Sequence, residues 1–131
     1  TYLAQYRWTP LGSTVLKFSG YRDLRTYTDI SASYILVQGY SSGMSWAPTY
    51  KTVLQLDLAY EDWHYRGDPG IVPNVGPQRH DTIRTARLTA GYTPVPPLRL
   101  DVAYEYGRRT SNAPLSGYVY NEIEGEARVT F

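Results

Sequence analysis

The sequence predicts an all-β chain, a transmembrane antiparallel up-and-down β-barrel of which about seven strands are present. Three observations point there. Apolar and polar residues alternate with a period of two along most of the chain, and no window carries the i, i+3, i+4 spacing of an amphipathic helix. A strand, a short turn and a second strand recur at intervals of roughly 40 residues. The aromatics are dominated by side chains with a polar tip, 14 Tyr and 3 Trp against 2 Phe, which suit a boundary between apolar medium and water.

The clearest alternation places Leu98, Leu100, Val102, Tyr104 and Tyr106 on one face and Arg99, Asp101, Ala103 and Glu105 on the other. Leu54, Leu56, Leu58 and Tyr60 repeat it, opposed by Gln55, Asp57, Ala59 and Glu61. The strings LQLDLAYE (54 to 61) and LRLDVAYE (98 to 105) match residue for residue at most positions, with Asp57 equivalent to Asp101 and Glu61 to Glu105. Each follows an aromatic and a proline two residues later, Trp46 with Pro48 and Tyr92 with Pro94, and Trp8 with Pro10 opens the chain the same way. Proline fixes φ and cannot donate to a ladder, so these three sites are expected to be tight turns. The other connections, 22 to 29, 67 to 79 and 110 to 117, are expected to be longer loops.

The predicted strands cover about 1 to 9, 13 to 24, 30 to 47, 51 to 65, 81 to 94, 97 to 110 and 117 to 131, all in one domain of residues 1 to 131. Most exceed the ~9–11 residues that cross a bilayer at a tilt. Short turns at one end and long loops at the other match barrels whose turns face the periplasm and whose loops face outward. Strands one, three, five and seven then run inward. Single-chain bacterial barrels have an even strand number, so at least one strand is expected before Thr1, and the chain is expected to be the C-terminal part of a larger barrel. In strand three, Gln38 and Ser42 share the parity of Tyr34, Leu36 and Trp46, which leaves its register open.

Composition excludes several function classes. Thirteen basic and 12 acidic residues are scattered, with a net charge of +1, so no electrostatic footprint for nucleic acid exists. The absence of cysteine removes thiolate chemistry and Cys-based zinc sites. Mean hydropathy is −0.43, and no stretch approaches the ~18 apolar residues of a membrane helix. His64 and His80 flank the longest loop at no recognisable metal or triad spacing, and no serine stands in a nucleophile elbow. No catalytic residue, metal or cofactor is expected.

Lys17, Asp57, Glu61, Arg87, Arg99, Asp101, Glu105, Glu122, Glu124, Glu126 and Arg128 all take the polar parity. Basic residues facing lipid cost ~2–4 kcal/mol at the midplane, and acidic ones less. These side chains are therefore expected to face the lumen, as cross-strand ion pairs, as a hydrated channel lining, or as both. Tyr21, Trp63, Tyr65, Tyr118 and Tyr120 share that parity near the loop end, as aromatic stacking platforms or as girdle residues.

The final strand, YVYNEIEGEARVTF, puts Val119, Ile123, Gly125, Ala127, Val129 and Phe131 on its apolar parity. The terminal Phe131, with Val129 before it, resembles the C-terminal signal of outer-membrane proteins, which implies recognition by the barrel-assembly machinery. The segments SWAPTYK (45 to 51), GYTPVPPLRL (91 to 100) and AYEYGRRTSN (103 to 112), with the last strand, resemble the EpsL-like β-barrel proteins of exopolysaccharide operons associated with exosortase and PEP-CTERM systems. That resemblance implies an outer-membrane, porin-like conduit for exopolysaccharide, with the lipid and the polymer or an envelope complex as partners. The alternatives are a non-conducting barrel that anchors an envelope complex and a soluble β-sandwich binding module.

Overall fold

The computed structural model describes residues 1 to 29, 32 to 67 and 78 to 130, with side chains undescribed at 27 to 29 and 32. Seven strands follow one another: β1 (Tyr2–Leu11), β2 (Thr14–Asp29), β3 (Ala32–Thr49), β4 (Thr52–Arg66), β5 (His80–Val95), β6 (Leu98–Ser111) and β7 (Tyr118–Val129). They form one sheet in sequence order, each antiparallel to the next. Among the described residues there are seven strands, as the period-two pattern predicts. Phe131, one half of the expected C-terminal signal, and the segment 68 to 77 lie outside the described residues.

Two boundaries differ from expectation for a physical reason. Residues 22 to 29 are not a loop; they continue β2, where Asp23 opposes Val37, Arg25 opposes Ile35 and Asp29 opposes Ala32. Polar residues on both parities hide the alternation, and pairing with the apolar start of β3 imposes the extended conformation. The motif prolines Pro10, Pro48 and Pro94 are also not at the turn tips. The hairpins close through two residues each, Gly12-Ser13, Tyr50-Lys51 and Pro96-Pro97, and the register slips by one between Trp8 and Leu11, Trp46 and Thr49, and Tyr92 and Val95. The aromatic-x-Pro motif thus encodes a β-bulge beside the turn, where an unpaired residue tolerates the missing N–H. The residue between aromatic and proline ties neighbouring hairpins together: Ala47 donates to the Ser13 carbonyl and Thr93 to that of Lys51, both at 2.8 Å. Thr130 donates to Pro97 in the same way at 2.9 Å.

Register assigns every strand residue to one of two faces. The apolar face carries Tyr6, Trp8, Leu16, Phe18, Tyr40, Met44, Trp46, Leu54 to Leu58 at alternate positions, Leu88, Tyr92, Leu100, Val102 and Ile123. Gln38 and Ser42 belong to it as well, which fixes the register of β3. Among the described residues nothing packs on this face: Tyr6 is 63 % exposed, Val102 55 % and Ile123 77 %. A sandwich would place a second sheet here. The accessible surface, 9199 Å², exceeds the roughly 7,000 Å² of a compact soluble protein of this mass. Among the described residues the buried hydrophobics are Ile35, Val37, Tyr65 and Ala103, and all four lie on the opposite, polar face.

The sheet is open. β1 and β7 each have one free edge and, as the first and seventh strands of an up-and-down sheet, run in the same direction. They therefore cannot close on one another through an antiparallel ladder.

Candidate functional site

All eleven charged candidates fall on the polar face. One row crosses the whole sheet: Arg7, Lys17, Gly43, Asp57, Arg87, Glu105 and Glu122 are successive cross-strand neighbours. A concavity of about 690 Å³ opens above it, lined from Gln5 and Lys17 at one side to Arg87 and Glu105 at the other. Its floor leaves this room because Ser19, Ser41, Gly43 and Ala59 are small. Side chains also reach over an intervening strand. Arg87 binds Glu105 at 3.0 Å and continues past β6 to Glu124 on β7, and Tyr21 of β2 donates to Glu61 of β4. The polar face is the concave one.

The internal repeat reappears as repeated geometry. Asp57 lies over Gly43, where a Cβ would meet its Oδ1 at 2.8 Å, and Asp101 lies over Gly91, where the same contact would be 2.7 Å. Each aspartate accepts a hydrogen bond from the residue two before it: Gln55 Nε2 to Asp57 at 2.8 Å, and Arg99, through Nε and Nη2, to Asp101 at 2.7 and 3.0 Å. The equivalent glutamates, Glu61 and Glu105, each accept a tyrosine hydroxyl, from Tyr21 and from Tyr120. Those rings cross the backbone at Gly39 and Gly107, where any Cβ would overlap them. Arg128 pairs with Glu126 at 2.8 Å. Among the described residues Lys17, Asp57, Glu61 and Glu122 make no ion pair; the cross-strand pairs of the set are those of Arg87 with Glu105 and Glu124, whereas Arg99–Asp101 and Arg128–Glu126 join residues two apart on one strand.

Sequence reasoning did not single out the densest cluster, which lies at the loop end of the same face. The Asp81 carboxylate is fully buried. It accepts from Tyr65 Oη at 2.9 Å and from Arg79 Nε at 3.1 Å, and it pairs with Arg109. The guanidinium of Arg79 stands 4.5 Å from the Tyr65 ring centroid, and those of Arg25 and Arg109 each stand 5.5 Å from that of Trp63. Hydrogen bonding to Asp81 pushes Arg79 above its already high value, so it stays cationic. Among the described residues no buried side-chain polar atom lacks a partner, so this cluster braces the wall. Of the five aromatic candidates, Tyr21, Trp63 and Tyr65 pack with Ile35 and Val37, and Tyr118 and Tyr120 adjoin one another at 6.1 Å.

His64 and His80 are direct cross-strand neighbours on the apolar face, stacked at 4.4 Å, with His80 Nε2 3.4 Å from Asp62. No group of three or more His, Asp or Glu able to hold a metal occurs among the described residues.

Fold and site together define a class: a single-layer antiparallel sheet with a bare apolar face and a concave, charge-paired polar face. No family model, curated protein or solved structure matches the chain.

Proposed function

We propose that this sheet is a section of the wall of an outer-membrane β-barrel, with the apolar face in lipid and the concave polar face lining a water-filled conduit. The observation that carries the reading is the bare apolar band. On β4 it runs from Thr52 to Asp62, about 33 Å along a strand and about 25 Å once tilted as barrel strands are, the height of the lipid-facing band of such barrels. Trp8, Trp46 and Tyr92 border it at the turn end, and Tyr40, Tyr60 and Tyr104 toward the loop end, as aromatic girdles do. The strand directions require further strands, from this chain or another, to complete an antiparallel closure.

The eleven charged candidates then form the lining. Where its acids and bases neutralise one another, the wall hydrates a passing solute without gripping it. The resemblance to EpsL-like proteins names exopolysaccharide as that solute, and an open concavity lined by serine, arginine and carboxylate side chains suits a hydrated polymer. Recording from the full-length protein in planar bilayers tests the conduit: discrete conductance steps are expected. A protein that enters the bilayer but never conducts is instead a non-conducting anchor.

A further inference from the structure

On the apolar face, every charged strand residue lies at the loop end. Arg22, Asp62, His64, Arg66, His80, Arg84 and Arg108 occupy it, whereas the turn end of that face holds Trp8, Trp46, Tyr92 and threonines. The single carboxylate among them is engaged: Asp62 accepts from Tyr60 at 3.0 Å and Thr82 at 3.1 Å and stands beside His80. The four arginines are exposed, and none makes an ion pair with a carboxylate among the described residues. The guanidinium of Arg84 stands 5.8 Å from the centroid of the Tyr60 ring.

Two placements go beyond a scatter of surface charge. Arg84 and Arg108 are directly opposite each other on β5 and β6, an arrangement that repels unless an anion sits between them. Arg22 and Arg66 border a hollow of about 470 Å³ whose walls include Tyr2, Leu24, Tyr34 and Leu36, with Asp23 at its rim. Cationic groups beside an apolar wall, just past an aromatic girdle, match a lipid that carries phosphate above its acyl chains.

We propose that this rim is a docking belt for phosphate-bearing lipids of the leaflet at the loop end, with Arg84 and Arg108 sharing one phosphate and Arg22 and Arg66 a second. The inference rests on the bilayer-spanning reading and adds a partner and a sidedness to it. The belt also explains why the two ends of one apolar face differ in chemistry, since among the described residues the turn end of that face carries no charged strand residue.

The test uses the full-length protein in vesicles of phosphatidylcholine alone and of phosphatidylcholine mixed with phosphatidate, read as the temperature at which the folded band is lost on gels. Phosphatidate is expected to raise that temperature by at least about 3 °C, and the R84Q/R108Q variant to lose most of the rise. In phosphatidylcholine alone the same variant is expected to be no less stable than the parent, because a repulsion has been removed. R22Q/R66Q supplies an independent arm with the same expectation for the rise. Equal stabilisation of parent and both variants, or the same rise from inorganic phosphate added to phosphatidylcholine vesicles, overturns the lipid belt. Failure to enter vesicles of either composition overturns the bilayer-spanning reading, a separately visible result.

Discussion

Glycine at positions 39, 43, 91 and 107 shapes the polar face, because each leaves the space into which a neighbouring Tyr or Asp side chain folds. Gly107 is the most demanding, since Tyr120 crosses its backbone to reach Glu105. Gly107→Ala is therefore expected to displace that ring and cost about 1–3 kcal/mol, measured as a lower urea midpoint. Asp81 has the opposite role: a buried anion joining Arg79, Arg109 and Tyr65. Asp81→Asn keeps the shape, removes the charge and leaves two arginines uncompensated, at a cost of roughly 3 kcal/mol. A thermal scan that leaves this variant at parental stability contradicts its bracing role. The Gly43–Asp57 and Gly91–Asp101 notches were half legible in the sequence, because the twin strings mark the aspartates as equivalent. Their glycine partners come from neighbouring strands and emerge only with register. Asp81 was harder to see: its partners are scattered along the chain, and its parity with Thr85 and Arg87 was the one signal.

At the scale of elements, the aromatic-x-Pro motif sets a bulge and a two-residue turn three times over. Its adjacent positions have opposite needs. Ala47 donates its N–H to Ser13, whereas Pro48 has none to give. Ala47→Pro is expected to destabilise by about 1–2 kcal/mol through the lost hydrogen bond, and Pro48→Ala by less than about 1 kcal/mol. Comparison of the two melting temperatures checks the ordering, and equal effects contradict it. The motif was visible in the sequence as punctuation, yet its geometry was not, since proline marks a turn and a bulge alike. Strand number and parity were legible because one face is apolar through the turn half of β4 to β6. The outer half of β2 was not, because Arg22, Asp23 and Arg25 break the alternation and only the cross-strand partners Val37 and Ile35 keep it extended.

At the scale of the molecule, the two faces of one sheet differ in chemistry, and on the proposed reading they meet two solvents. The bare apolar face would be costly in water, at roughly 25 cal/mol for each Å² of apolar surface left exposed, and the polar face buries a charge network no lipid would tolerate. The three tryptophans sample both: Trp8 and Trp46 on the apolar face, Trp63 on the polar face beside Arg25 and Arg109. That distribution permits a direct test with full-length protein reconstituted in vesicles containing bromine-labelled lipid. In a W63F variant, Trp8 and Trp46 are predicted to be strongly quenched by the bromine. In a W8F/W46F variant, Trp63 is predicted to be quenched little by the bromine. Equal quenching of the two variants, or none in either, would contradict the assignment of one face to lipid and the other to water.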